Sequence, residues 1–128
     1  MDNCIFCKIV RRELPAEVVY EDDHFVAFLD IHPQSPGHLQ VIPKTHYRWV
    51  WDVPVDNQKA PNIAGYFTVV GRIAKALQGT FGTDAVFSRV MGDEVPHAHV
   101  WLFPHPGEAK GDKNDFVGNA AKIREMLK

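Results

Sequence analysis

The sequence predicts an α+β domain: an antiparallel sheet of about five strands with a main helix and a C-terminal helix. Three observations carry that prediction. Short strand-like segments follow one another as a meander, with turn residues between them. One long stretch, Asn62 to Leu77, has the spacing of a helix with a single apolar face. The chain has 128 residues, 45% hydrophobic and 23% charged, which suits one compact domain over 1–128 and little else.

Each element has its own signal. Residues Cys4 to Arg12 carry apolar positions at Ile5, Phe6, Ile9 and Val10, a short amphipathic turn or helix that stops before Pro15. Val18 to Tyr20 and Phe25 to Leu29 read as strands joined by the turn residues Glu21, Asp22 and Asp23. Asp30 to Gly37 is a loop, rich in turn residues and too polar for a core. His38 to Pro43 is a third strand, closed by its proline. A connection from Val53 to Pro61 leads to the main helix, for which Gly79 is the expected C-cap. Ala85 to Val90 and His97 to Phe103 complete the strands, and Asp115 to Leu127 forms a last amphipathic helix.

Charge and composition exclude several function classes. A formal net charge of −2 gives no basic footprint for a nucleic-acid backbone, so a bound nucleotide is expected to be small and held in a pocket. No apolar run approaches the ~20 residues of a membrane span. The start MDNCIFCKIV also lacks the basic residues and long apolar core of a signal peptide. These features lead us to expect a cytoplasmic protein with neither nucleic-acid nor membrane partners. Its two cysteines form the pair Cys4-Ile5-Phe6-Cys7, which in a reducing compartment suggests metal or redox chemistry more than a structural disulfide.

The chemistry concentrates in VPHAHVWLFP, Val95 to Pro104. Successive side chains of a strand point to opposite faces, so His97, His99 and Trp101 share one face while Ala98, Val100 and Leu102 pack behind them. A solvated edge strand is the plain alternative for these imidazoles, since Pro96 suits a strand start. The chain holds seven histidines, however, and His38 and His46 flank the strand that ends in Pro43-Lys44. Clustering at a site is the favoured reading, because imidazole suits nucleophilic, acid/base and metal work near neutral pH.

At this point the segments CIFCKIV, LPAEVVYEDD, FVAFLDIHPQSPGH, VIPKTH and EVPHAHVWLFP, in that order, resemble the histidine triad (HIT) family. The likeness is to its branch of Hint-type nucleoside phosphoramidases and small bacterial HIT hydrolases, and it covers nearly the whole chain. The family signature is His-φ-His-φ-His-φ-φ, with φ apolar. This chain keeps two histidines, His97 and His99, and has Trp101 in the third place. The resemblance implies the HIT fold, a homodimer and a small substrate, expected to be a purine nucleoside phosphate.

The family's mechanism then falls on named residues. In the family the second triad histidine attacks the α-phosphorus, and water hydrolyses the nucleotidyl-imidazole. By motif that nucleophile is His99, with His97 as its triad neighbour and His38 as the histidine beside it. Imidazole attacks only when neutral, so a hydrogen bond, for instance to a backbone carbonyl, must hold the proton on its other nitrogen. Trp101 offers one indole N–H at the same place. The resemblance also places Asp30 on the ribose hydroxyls, and Ile5, Phe6, Ile9, Phe28 and Ile31 in an apolar slot for the base. The plain alternative is that most of these apolar residues are simply core, and for Ile9 and Phe28 the two readings weigh about equally.

Zinc enters by the same route. A single Cys-x-x-Cys needs two further ligands, and in several bacterial HIT proteins with this pair they map onto His46 and His97. Cys4, Cys7, His46 and His97 would form a structural Cys₂His₂ site; otherwise the cysteines are small apolar residues. The chain departs from the family between Ser88 and Glu94, where a polar phosphate-holding loop becomes short and acidic. An aspartate near phosphate is unfavourable unless Arg89 or Lys44 offsets it, so Asp93 and Glu94 receive no phosphate-binding role.

Three function classes follow. One is a nucleotide hydrolase or nucleotidyltransferase acting on nucleoside phosphoramidates or dinucleoside polyphosphates through a nucleotidyl-His99 intermediate. Another is a weakly catalytic nucleotide-binding or partner-binding module that has lost its third triad histidine. The third is a zinc-stabilised interaction domain. For the first, indole cannot supply a proton as imidazole does, so amine leaving groups should suffer most from Trp101 and polyphosphates less. The galactose-1-phosphate uridylyltransferase branch has glutamine in that third place and still forms the intermediate.

Overall fold

The computed structural model describes residues 3–56 and 58–128. The chain runs α1 (Ile5–Val10), β1 (Val18–Glu21), β2 (Phe25–Leu29), β3 (Leu39–Pro43), a 3-10 turn (Val50–Asp52) and α2 (Ile63–Phe81). It continues with β4 (Val86–Met91), β5 (His99–Pro104) and α3 (Phe116–Met126). Among the described residues the sheet has five strands in the order β1-β2-β3-β5-β4, and every neighbouring pair is antiparallel. The α+β class, the main helix and the C-terminal helix are therefore as the sequence predicts.

Alternation along each strand separates two faces. Ala27 and Leu29 of β2, Leu39 and Val41 of β3, and Val100 and Leu102 of β5 belong to the main core. They share it with Tyr66, Val70, Ile73, Leu77 and Phe81 of α2, and with Ala120 and Ile123 of α3. Val26, Phe28 and Ile42 point the other way and join Cys4, Phe6 and Cys7 from α1 and its N-cap in a smaller cluster. Both β2 and β3 are thus buried along their whole length. On the main-core face, the Tyr66 hydroxyl donates to the Val41 carbonyl at 2.6 Å, giving a buried phenol its partner.

Two boundaries differ from the sequence reading. The main helix continues to Phe81 and ends at Gly82, whose φ of 69° is the left-handed cap and whose N–H donates to the Gln78 carbonyl. Gly79 does another job: a β-carbon there would lie 3.1 Å from the terminal carbon of Met126, so its bareness lets α3 approach α2. The extra turn of α2 delivers Phe81 to the core, where its ring lies against Gly37. A β-carbon on Gly37 would sit 2.2 Å from that ring, and its φ is +83°, so only glycine fits. This contact pins the loop that immediately precedes His38.

The last strand begins at His99, two residues later than expected. The N–H groups of His97 and Ala98 bond to the carbonyls of Val95 and Tyr47, each at 2.7 Å, rather than to a neighbouring strand. The ladder is interrupted there, beside Cys4, Cys7 and His46. At the other side of β5, β4 is an edge strand whose central residues Phe87 to Val90 are exposed.

Candidate functional site

On the face of the sheet away from α2, β5 presents His99 and Trp101. His99 is almost wholly buried, and its Nδ1 lies 2.7 Å from the backbone carbonyl of His97. A carbonyl can only accept, so Nδ1 carries the proton and Nε2 keeps its lone pair. Burial lowers the His99 pKa, partly offset by the bond to the His97 carbonyl and by the charges of Asp93, Glu94 and Asp30. The imidazole is accordingly neutral at pH 7, with Nε2 free of any hydrogen bond to protein among the described residues.

A cavity of about 440 Å³ opens beside His99 and Trp101. Ile5, Phe6 and Ile9 of α1 wall it on one side, and Phe28, Asp30 and Ile31 at the end of β2 on another. Every residue that the sequence reading assigned to base or ribose is in that lining. Phe6 stands edge-on to both Phe28 and His99, at ring separations of 5.4 and 5.1 Å. The wall against His99 is therefore aromatic.

Behind the wall lies a polar group that apolar packing does not require. Asp30 Oδ1 accepts from the His32 N–H at 2.8 Å, and Oδ2 accepts from the Gln40 side-chain amide at 3.1 Å. The Gln34 N–H donates to His38 Nδ1 at 3.0 Å, so the His38 proton sits on Nε2, 3.7 Å from Asp30 Oδ2. Burial lowers the pKa of His38 and the nearby Asp30 charge opposes the shift. Both His38 Nε2 and Gln40 Oε1 are buried without a hydrogen-bond partner. An unsatisfied donor and acceptor on two residues that both adjoin the Asp30 carboxylate cost stability, and their retention fits a site whose partners arrive with a ligand. The His38 ring packs on Trp101 at 4.7 Å, and the Arg89 guanidinium lies 5.6 Å over the indole.

His97 turns its ring away from the cavity and into a second cluster. Its Nε2–H donates to the Pro43 carbonyl at 2.8 Å, which leaves Nδ1 as a lone pair 3.4 Å from Cys4 Sγ and 3.5 Å from Cys7 Sγ. His46 Nδ1 lies 3.1 Å from Cys7 Sγ, and the four candidate ligand atoms are all within 4.8 Å of one another. Tetrahedral zinc, with bonds of roughly 2.0–2.3 Å, sets ligand atoms roughly 3.3–3.8 Å apart, so this donor set fits with little movement. Burial, then the hydrogen bond and charge of Cys4, push the Cys7 thiol up to about 11. Burial likewise lowers His97 to about 4 and His46 below its ordinary value. Neutral imidazoles are the form that ligates a metal.

The sequence reading missed Gln40, which fixes Asp30 and lies directly across from Trp101. Its signal was a lone polar residue inside the otherwise apolar strand LQVIP. It also missed that Glu94 and Val95 line the cavity.

The family model described as the HIT domain matches residues 11–107. The chain belongs to the HIT family. An uncharacterised HIT-like protein of Methanocaldococcus jannaschii is 44% identical over 128 residues, with 98% of this chain and 96% of that protein covered. The purine nucleoside phosphoramidase of Escherichia coli is 37% identical over 106 residues, covering 79% of this chain and 86% of the enzyme. Among solved structures, a zinc-bound histidine triad family protein from Mycobacterium smegmatis superposes with a TM-score of 0.78 at 29% identity. That superposition covers 98% of this chain and 94% of the other. The HIT resemblance and the HIT α+β fold therefore hold.

Proposed function

We propose that this HIT protein is a nucleotide hydrolase that cleaves at the α-phosphate of nucleoside phosphoramidates or polyphosphates, with His99 as the nucleophile. One observation carries the reading: the His97 carbonyl holds the proton on His99 Nδ1, leaving a neutral Nε2 beside an apolar cavity that ends in a carboxylate. The phosphoramidase activity of the Escherichia coli relative supports the substrate class.

The base lies between Ile5, Phe6, Ile9, Phe28 and Ile31, and Asp30 accepts from the ribose hydroxyls. His99 Nε2 then forms a bond to the α-phosphorus as the bond to the leaving nitrogen or oxygen breaks, with the electron pair going to the leaving group. Water next attacks phosphorus and gives up a proton to solvent, the P–N bond to His99 breaks with its electron pair returning to Nε2, and the nucleoside monophosphate departs. An amine leaving group takes its proton from solvent. His38, whose proton is on Nε2 and unpartnered, and the Trp101 indole are the neighbouring donors for charge on the phosphoryl oxygens.

Cys4, Cys7, His46 and His97 would hold zinc. When bound, it supplies a structural cross-link between the N-terminal segment and the sheet. The exposed edge strand β4 suits pairing with a second copy of the chain, as a homodimer. The protein is taken as a single domain over 1–128, cytoplasmic, with a purine nucleotide as substrate. Trp101 favours the second reading, a nucleotide-binding module of low turnover. Rapid quench of the protein with a labelled nucleoside phosphoramidate separates the two. A phospho-adduct on His99 supports the hydrolase, whereas nucleotide binding without adduct supports the module.

A further inference from the structure

We infer that the Cys4–Cys7–His46–His97 cluster and the nucleotide cavity are thermodynamically coupled: a metal cation in the cluster tightens nucleotide in the cavity, and the reverse. The inference rests on the nucleotide and metal readings above and goes beyond them, because a purely structural zinc would leave nucleotide affinity untouched.

Two connections join the sites. The first is α1, six residues long and too short to persist without tertiary support. Cys4 is its N-cap, with the thiol accepting from the Cys7 N–H at 3.4 Å, and Cys7 sits one turn on. Between these two ligands come Ile5 and Phe6, which together with Ile9 wall the cavity. A cation held by both sulfurs, with His46 and His97 from elsewhere in the fold, fastens that wall to the sheet. Phe6 carries the fastening to the reacting group, since its ring stands edge-on to the His99 imidazole.

The second connection is His97 itself. Its ring Nδ1 faces the sulfurs, its Nε2–H is tied to Pro43, and its carbonyl accepts from His99 Nδ1. One residue thus bears both a metal-ligand atom and the acceptor that orients the nucleophile.

Without the cation, α1 is held by the packing of Phe6, Cys7, Ile9 and Val10, the cysteine cap and the weak contacts of the two sulfurs with His46 and His97, and a nucleotide must order it further on binding. With the cation that ordering is already done, so the nucleotide binds more tightly. Linkage requires the nucleotide to tighten the metal by the same factor. Coupling between sites is typically ~5–150-fold, and about tenfold is expected for a single short helix.

The test uses the full chain, zinc and AMP. Zinc affinity is measured by chelator competition with and without saturating AMP, and AMP affinity by calorimetry on zinc-loaded and stripped protein. Amide exchange is followed in both states. The expected result is two equal ratios near tenfold, with exchange rising on stripping in residues 4–10 and unchanged in α2 and β3. Two ligands that bind with unaltered affinities overturn the coupling and leave both site readings standing. If α2 loses protection together with α1, the metal holds the whole fold and the local clamp is wrong. AMP that fails to bind the loaded protein removes the nucleotide reading, and zinc that fails to bind removes the metal reading. Either failure removes this inference with it.

Discussion

On the α2 face of the sheet, Leu39, Val41, Val100 and Leu102 meet Ile73, Leu77 and Phe81, and the buried phenol of Tyr66 has its partner. On the opposite face the same strands present Gln40, His99 and Trp101, and there His38 Nε2 and Gln40 Oε1 stay unpaired. Strand alternation forces this division, because each strand sends every second residue to each side. The sheet's own side chains on the α2 face are finished by folding alone, although Thr80 Oγ1 of α2 is also buried without a partner. The other face is left with polar atoms that folding does not satisfy, and the difference marks where a ligand belongs.

The sharpest way to break the contrast is to remove the proposed nucleophile. His99→Ala should abolish the phospho-adduct and turnover on every substrate class while the protein still binds AMP, measured by quench labelling and calorimetry. An adduct that persists in this variant would place the chemistry elsewhere. The matching change on the finished face is Ile73→Ala, at a fully buried site. It should cost about 2–5 kcal/mol of stability, read from denaturant unfolding, and leave turnover per folded molecule near wild type.

How much of this was legible in the sequence follows from the same alternation. The period-two pattern of VPHAHVWLFP puts both triad histidines and Trp101 on one side, and the family resemblance names Ile5, Phe6, Ile9, Phe28 and Ile31 of the cavity wall but not Leu14, Pro15, Ala16, Leu29 or Val95. The pattern could not show that His97 leaves the ladder and aims its ring at Cys4 and Cys7, because a bend two residues before a strand has no periodic signal. Gly79 reads as a cap because it follows the apolar spacing of Asn62 to Leu77. Only the packing of Phe81 on Gly37 shows why the helix runs one turn further.

Trp101 is the next lever in size. Indole has one N–H to donate and no basic nitrogen, so it cannot protonate a departing amine as imidazole does. General-acid contributions are typically ~10²–10⁴-fold, so Trp101→His should raise release of alkyl amines by about tenfold or more. Polyphosphate cleavage, whose leaving groups are weaker bases, should change less. Steady-state kinetics on both classes checks the ratio, and an unchanged ratio would make Trp101 a packing residue.

A smaller effect comes from pH. Burial lowers the His99 pKa, so the neutral, attacking form persists below the ordinary imidazole value of 6.5. The kcat/KM profile should stay flat from pH 7 through 6.5 and fall about tenfold per unit only below that, once His99 takes up a proton. Stability should move in the same direction. The folded state resists protonating His99 and His38, whereas the unfolded chain takes protons at the ordinary pKa, so folding is favoured above 6.5 and weakens as pH drops through the lowered values. A Tm that rises on acidification through that window would contradict buried neutral imidazoles.

The smallest effect tests whether the second face is held back from full stability. Gln40→Met removes the unpaired Oε1, a relief of about 1–3 kcal/mol. It also removes the amide that donates to Asp30 Oδ2, a bond to a charged group worth about 1.5–3 kcal/mol. The two terms nearly cancel, so the variant should stay within about 1 kcal/mol of wild type by denaturant unfolding. Nucleotide binding, on the proposed reading, has no such compensation, because Asp30 keeps the His32 N–H on Oδ1 but loses the donor that holds Oδ2. AMP affinity should fall by about five- to tenfold, the scale of one lost hydrogen bond. The reverse substitution on the other face, Val41→Gln, buries an amide among Tyr66, Leu77 and Val100 with nothing arranged to meet it. It should cost about 2 kcal/mol or more. Equal costs for the two substitutions would show that the faces do not differ in polar satisfaction, and the unpaired atoms beside His38 would then carry no information about a ligand.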